Sequence, residues 1–133
     1  MSHLTRIKTR LVEREYLLKA LKELGYTPEM ASSTTESLFV HGLAGERARA
    51  EIKVKISRLG REVGFRKSGD GTYEIVVDWW GSGLGLREDF LQKVTQRYAY
   101  HAALAKLEEQ GFTLSSEEIQ QNGQIHLTLR RVA

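Results

Sequence analysis

The run Val63-Gly64-Phe65-Arg66-Lys67-Ser68-Gly69-Asp70-Gly71-Thr72-Tyr73-Glu74-Ile75-Val76-Val77-Asp78 decides the fold class. Two strand-like segments, Val63–Arg66 and Thr72–Asp78, flank Ser68-Gly69-Asp70-Gly71. An Asp-Gly pair between such segments marks a hairpin, because the turn needs a residue at positive φ. Upstream, Glu51-Ile52-Lys53-Val54-Lys55-Ile56-Ser57 alternates cleanly, with Ile52, Val54 and Ile56 toward a core and Lys53 and Lys55 toward solvent. Downstream, Asn122-Gly123 sets a second hairpin turn between a strand opened by Phe112-Thr113-Leu114 and Gln124-Ile125-His126-Leu127-Thr128-Leu129-Arg130. Hairpins on this scale specify antiparallel pairing and disfavour parallel βαβ winding.

The helices fit between these strands. Residues 4–12 alternate as a half-buried strand, with Arg6, Lys8 and Arg10 on one side and Ile7 and Thr9 on the other. Residues 13–24 carry Leu17, Leu21 and Leu24 at helical spacing, with acids in the first turn and Gly25 after the last. A longer helix is expected over about residues 87–110, stopped by Gly111. Phe90, Val94, Tyr98, His101 and Ala105 fall on one side of it at 100° per residue. The expected architecture is a single α+β domain over residues 1–133, an antiparallel sheet with two helices on one face. Leu18–Thr27 and Leu104–Thr113 repeat Leu, Leu, Glu, Gly and Thr at a constant offset. That echo is consistent either with duplicated strand-helix-strand-strand halves or with the common form of an amphipathic helix ending in Gly-aromatic. Residues 29–49 are the least legible: a polar loop or edge strand, a short strand over Ser37–His41, and a turn at Gly42-Leu43-Ala44-Gly45.

Composition narrows the chemistry. The chain has 133 residues, is 41% hydrophobic and 28% charged, and contains no cysteine. One globular core fits that length. Disulfides, cysteine–zinc sites and thiolate catalysis are excluded. No apolar run reaches a membrane span, and Met1–Arg6 offers no signal-peptide core, so a soluble cytoplasmic protein is the expectation. The formal net charge is +3. Between Arg47 and Lys67 eight basic residues meet only Glu51 and Glu62, a local surplus of six, so the remainder carries a net −3. Lys53, Lys55, Arg58, Arg61, Arg66 and Lys67 are the candidate basic surface, suited to an acidic protein partner or, alternatively, to RNA through strands 47–67. The competing reading is an edge protected by charge.

A second candidate site is aromatic. Asp78-Trp79-Trp80-Gly81 places tandem tryptophans at a strand end on opposite faces: either one seals the core and the other caps the helix base, or one forms a contact platform for a partner or ligand. Gln96-Arg97-Tyr98-Ala99-Tyr100-His101 places a long cation on the flank of the helix core stripe. There Arg97 needs a partner such as Asp78 or another carboxylate across the sheet. Asp78, Trp79, Trp80, Arg97, Tyr98 and Tyr100 are therefore the candidate ligand- or partner-binding residues. Gly81, Gly83 and Gly85 lack the lysine and spacing of a nucleotide loop. His3, His41, His101 and His126 show no metal spacing, and no nucleophile or orienting partner is spaced for catalysis. An enzyme with His101 or His126 as base is the remaining alternative; no cofactor or metal is expected.

Several of these strings resemble the hypothetical chloroplast reading frame thirty-five family, found in cyanobacteria and algal plastids. They are Ser2–Thr9, Ala20–Tyr26, Ala50-Glu51-Ile52, Val63-Gly64-Phe65, Gly71-Thr72-Tyr73, Asp78-Trp79-Trp80-Gly81, Gln96–Tyr100 and Gln110-Gly111-Phe112. Leu4 stands where that family would carry Phe. The resemblance implies an accessory protein of the cytoplasm or plastid stroma, linked to photosynthetic or redox machinery. It also implies association with an AAA-type ATPase or ferredoxin-like protein, and no defined reaction.

Overall fold

A computed structural model describes residues 4–31, 38–42, 45–56, 62–78 and 84–131, with backbone alone over 84–88. The chain divides into two compact units, residues 1–98 and 99–133. The fold is α+β with antiparallel pairing throughout the described strands, as the hairpins require.

In the first unit β1 (Thr5–Lys8), β7 (Tyr73–Val77), β6 (Glu62–Lys67), β5 (Ile52–Lys55) and β2 (Glu29–Met30) form a five-stranded sheet in the order β1-β7-β6-β5-β2. The β6–β7 turn is the expected one. Gly71 takes φ 87°, and Ser68 N–H donates to the Thr72 carbonyl at 2.8 Å. The Asp70 carboxylate accepts from the Thr72 hydroxyl at 2.6 Å and the Thr72 N–H at 3.0 Å. Those hydrogen bonds, with one from Ser68, hold Asp70 well below the usual carboxylate range.

Register sets the faces. Ile7, Ile75, Phe65 and Ile52 form one cross-strand row, and Val77, Val63 and Val54 continue the next. Against this apolar face pack Leu17 and Leu21 of α1 (Arg14–Glu23) and Phe90 and Val94 of α2 (Leu84–Glu109). Both helices thus cover one face, as read from the sequence. Gly25 ends α1 at φ 91°, with Tyr26 N–H on the Leu21 carbonyl and Gly25 N–H on the Lys22 carbonyl, both at 3.0 Å. This pair of hydrogen bonds closes the last turn.

The opposite face carries a second layer. β3 (Leu38–His41) and β4 (Arg47–Ala50) make a two-stranded antiparallel sheet. The chain passes from β4 to β5 through the single residue Glu51, whose N–H donates to the Phe65 carbonyl at 3.1 Å. Val40 and Ala50 lie over Gly64, and both are buried. A Cβ built at Gly64 falls 2.3 Å from Val40 Cγ2 and 2.9 Å from Ala50 Cβ. Glycine is needed here because another layer occupies the space of its side chain.

The second unit comprises the end of α2 and the hairpin of β8 (Phe112–Ile119) and β9 (Ile125–Arg131), with a bulge between Leu114 and Ser116. Gly123 at φ 86° turns it, as the Asn-Gly pair implies. None of this unit's described side chains is fully buried, and Ile119 is 65% exposed. The sequence echo holds at the helix ends, since Gly111 also takes φ 91°. It stops there. Tyr26-Thr27 leads to a two-residue edge strand, whereas Phe112-Thr113 begins an eight-residue strand.

Gly64→Ala is expected to lower the free energy of unfolding by about 1–3 kcal/mol through overpacking. Adding Val40→Ala should cost less in that background than in the native chain, because the shortened side chain vacates the contested space. Urea titration of the four proteins measures this; strictly additive losses would contradict the packing described.

Candidate functional site

Strand alternation sends Lys53 to the Gly64 face, where the sequence alone places it in solvent. The β3–β4 layer changes that outcome. The Lys53 side chain is only 13% exposed, and its Nζ lies 2.9 Å from Oε2 of Glu62, itself 9% exposed. Nζ also donates to the Phe39 carbonyl at 3.2 Å and lies 3.8 Å from Glu29. Glu62 Oε1 accepts the backbone N–H of His41 at 2.9 Å and lies 3.0 Å from His41 Nδ1. Burial by itself would raise the Glu62 pKa; the hydrogen bonds from Lys53 and His41 outweigh it and hold the carboxyl below its ordinary value.

Phe39 and His41 are two residues apart, so their backbone groups project from the same edge of β3. The Lys53–Glu62 pair supplies that edge with one donor and one acceptor. It stands in for a neighbouring strand.

The other side of this layer faces outward. Phe39 pairs across from Arg49, and His41 from Arg47. With Val40 and Ala50 turned inward, these four side chains share the outer face. The Arg47 guanidinium lies 4.8 Å from the Phe39 ring centroid and that of Arg49 lies 5.9 Å from it. Arg47, Arg49 and the His41 ring are exposed. Among the described residues no carboxylate pairs with either arginine. Guanidinium groups, with their planar sets of donors, are chemically suited to meet carboxylates or phosphates.

The residues singled out in the sequence take varied places. Asp78 is 5% exposed at the end of β7, beside Gly42. Trp79 and Trp80 lie outside the described residues, as do Arg58 and Arg61. Arg97 pairs with Glu23, a carboxylate of the neighbouring helix, its Nε at 2.6 Å. The Tyr98 hydroxyl accepts the backbone N–H groups of Val12 at 3.0 Å and Glu13 at 2.8 Å. It serves the start of α1, where Glu13 offers no side-chain cap of its own. Tyr100 donates to Glu117 of the second unit at 3.0 Å.

Of the basic set, Lys55 is exposed and Arg66 half-buried. Lys67 donates to the Val12 carbonyl at 2.6 Å and covers the Tyr73 ring at 4.6 Å. Lys55 borders a shallow cleft of about 330 Å³ with Gly25, Tyr26, Thr27 and Glu29. Its walls carry both signs of charge and set up no single-sign field. The sequence reading missed Phe39, and it counted Arg47 and Arg49 without placing them. The signal was the alternation Arg47-Ala48-Arg49-Ala50, a strand with small residues inward and arginines outward.

The model of a family described as "Protein of unknown function (DUF1257)" matches residues 20–128. The chain belongs to the DUF1257 family. It is similar to "Uncharacterized protein ycf35" of Pyropia yezoensis at 33% identity, of Guillardia theta at 32% and of Cyanophora paradoxa at 30%, each over 98% of both chains. No solved structure matches it. The β3–β4 layer lies within the matched span. Among the described residues of this DUF1257 chain, no helix is long and apolar enough to cross a membrane.

Two measurements test this geometry. The lowered Glu62 pKa means that its stabilising contribution is complete above the ordinary glutamate value of about 4.3. It is lost as pH falls from there through the lower folded value. Glu62→Gln should therefore flatten the acid limb of a stability-versus-pH curve, and an unchanged limb would contradict the pairing. Tyr98→Phe should cost about 0.5–1.5 kcal/mol in urea unfolding, because two backbone donors lose their protein acceptor.

Proposed function

We propose that this chain is a non-enzymatic accessory protein that binds an acidic protein partner through the outer face of β3–β4. The observation that carries this reading is the placement of Arg47 and Arg49 against the Phe39 ring, with both guanidiniums exposed. Arginine held on an aromatic face keeps its in-plane donors free and loses little further rotamer entropy on binding. Carboxylates meet such forks in bidentate geometry.

RNA is the weaker fit. A polyanion track needs several unneutralised cations in line. Here the charge of Lys53 is neutralised by Glu62, with Glu29 nearby. Arg47 also covers one face of the Phe39 ring, which a stacking base would need. The ferredoxin-like and AAA-type neighbours implied by the family resemblance enter as candidate partners, an acidic ferredoxin-like protein being the first probe.

The test compares the native chain with Arg47→Glu/Arg49→Glu, both changes being on exposed side chains. Anisotropy titration with a labelled acidic ferredoxin-like protein should show at least a ~tenfold loss of affinity, with circular dichroism unchanged. Equal binding by both proteins would overturn the reading. So would tighter binding of oligouridylate than of the acidic protein, abolished by the same substitutions.

A further inference from the structure

The face that receives the partner has a definite spacing and one closed edge. We infer that it binds an extended acidic segment with carboxylates at alternate positions, laid across the face by its side chains and not added as a strand to β3. This inference rests on the protein-binding reading above and specifies its ligand.

The spacing comes from β4. Arg47 and Arg49 are two residues apart on one strand and point to the same side. A strand advances roughly 3.3 Å per residue, so their Cβ atoms are separated by about 6.6 Å. An extended ligand repeats side chains on one face at that same interval. Adjacent acids in such a segment point to opposite faces, and only one of them meets an arginine. Both guanidiniums lie near the Phe39 ring, and the strand backbone sets the spacing of the residues that carry them.

The closed edge comes from the ion pair. Strand addition at an edge needs unpaired backbone groups. The Phe39 carbonyl already accepts from Lys53, and the His41 N–H already donates to Glu62. A strand docking there would have to displace a nearly buried ion pair from the two backbone groups it serves, a cost borne by partly desolvated charges. Recognition is left to the side chains of the outer face.

Three short peptides of equal charge test this by fluorescence titration. One alternates Glu and Ala. The second has the same composition with its Glu in adjacent pairs separated by runs of three Ala, which places acids at helical spacing. The third is the alternating peptide N-methylated throughout, which removes its backbone donors. The alternating peptide should bind about tenfold tighter than the paired one. Its N-methylated form should keep most of that affinity. Arg47→Gln or Arg49→Gln should bring the alternating and paired peptides to within about twofold of each other. Equal binding of those two, both lost in the arginine variants, overturns the spacing while the acidic-partner reading stands. Loss of binding on N-methylation overturns the side-chain mode. If no peptide binds, both readings fall together.

Discussion

The missing side chain at Gly64 is the constraint on which the second face of the sheet depends. Val40 and Ala50 fill the space a Cβ would occupy, so β3 and β4 lie against the sheet at van der Waals distance. That contact requires the chain to leave one sheet and join another at Glu51. It also covers Lys53 and Glu62, which would otherwise face water. Close packing and charge burial are thus one event: the layer cannot sit down unless the cation and anion beneath it find each other.

The Lys53–Glu62 pair then does more than neutralise itself. An ammonium and a carboxylate offer, side by side, a donor and an acceptor. The free edge of β3 offers an acceptor and a donor in the complementary order. The edge is satisfied without another strand, which is one way a short two-stranded layer avoids presenting an open ladder. The electrostatics of the molecule follow. The local surplus of positive charge between Arg47 and Lys67 is not a uniform basic sheet face. Part of it is consumed internally, and the two arginines of β4 keep theirs outward.

What the sequence made legible was local chemistry. Asp70-Gly71, Asn122-Gly123, Gly25 and Gly111 each specify a backbone conformation within a few residues, and each sits where that conformation is needed. Strand parity was also legible for the core: Ile52, Val54, Val63, Phe65, Ile75 and Val77 point inward together. Parity does not say what covers the other face. Lys53 and Lys55 share a side of β5, yet one is paired beneath β3 and the other is exposed. That difference comes from a layer formed by residues 38–50, whose Leu-Phe-Val-His and Arg-Ala-Arg-Ala strings are too short to announce a sheet. Nor could spacing name the partner of Arg97. Glu23 lies at the far end of another helix, and only the packing of the two helices brings the charges into contact.

The fate of the aromatic residues on α2 makes the same point about function. Tyr98 and Tyr100 are two residues apart, which on a helix turns them about 200° from one another. Their hydroxyls diverge accordingly: that of Tyr98 accepts at the start of α1, and that of Tyr100 donates to Glu117. Rare residues in a compact string attract a functional reading, yet here a large aromatic with a polar tip is what a helix needs to reach an uncapped neighbour. The exposed guanidiniums of the first unit's second layer lie on common residues. Arg47 and Arg49 gain their fixed geometry from Phe39 across the strand pair, and Phe39 has its carbonyl held by a lysine that the sequence had assigned to solvent. The outer face is thus joined to the ion pair beneath it through the Phe39 backbone.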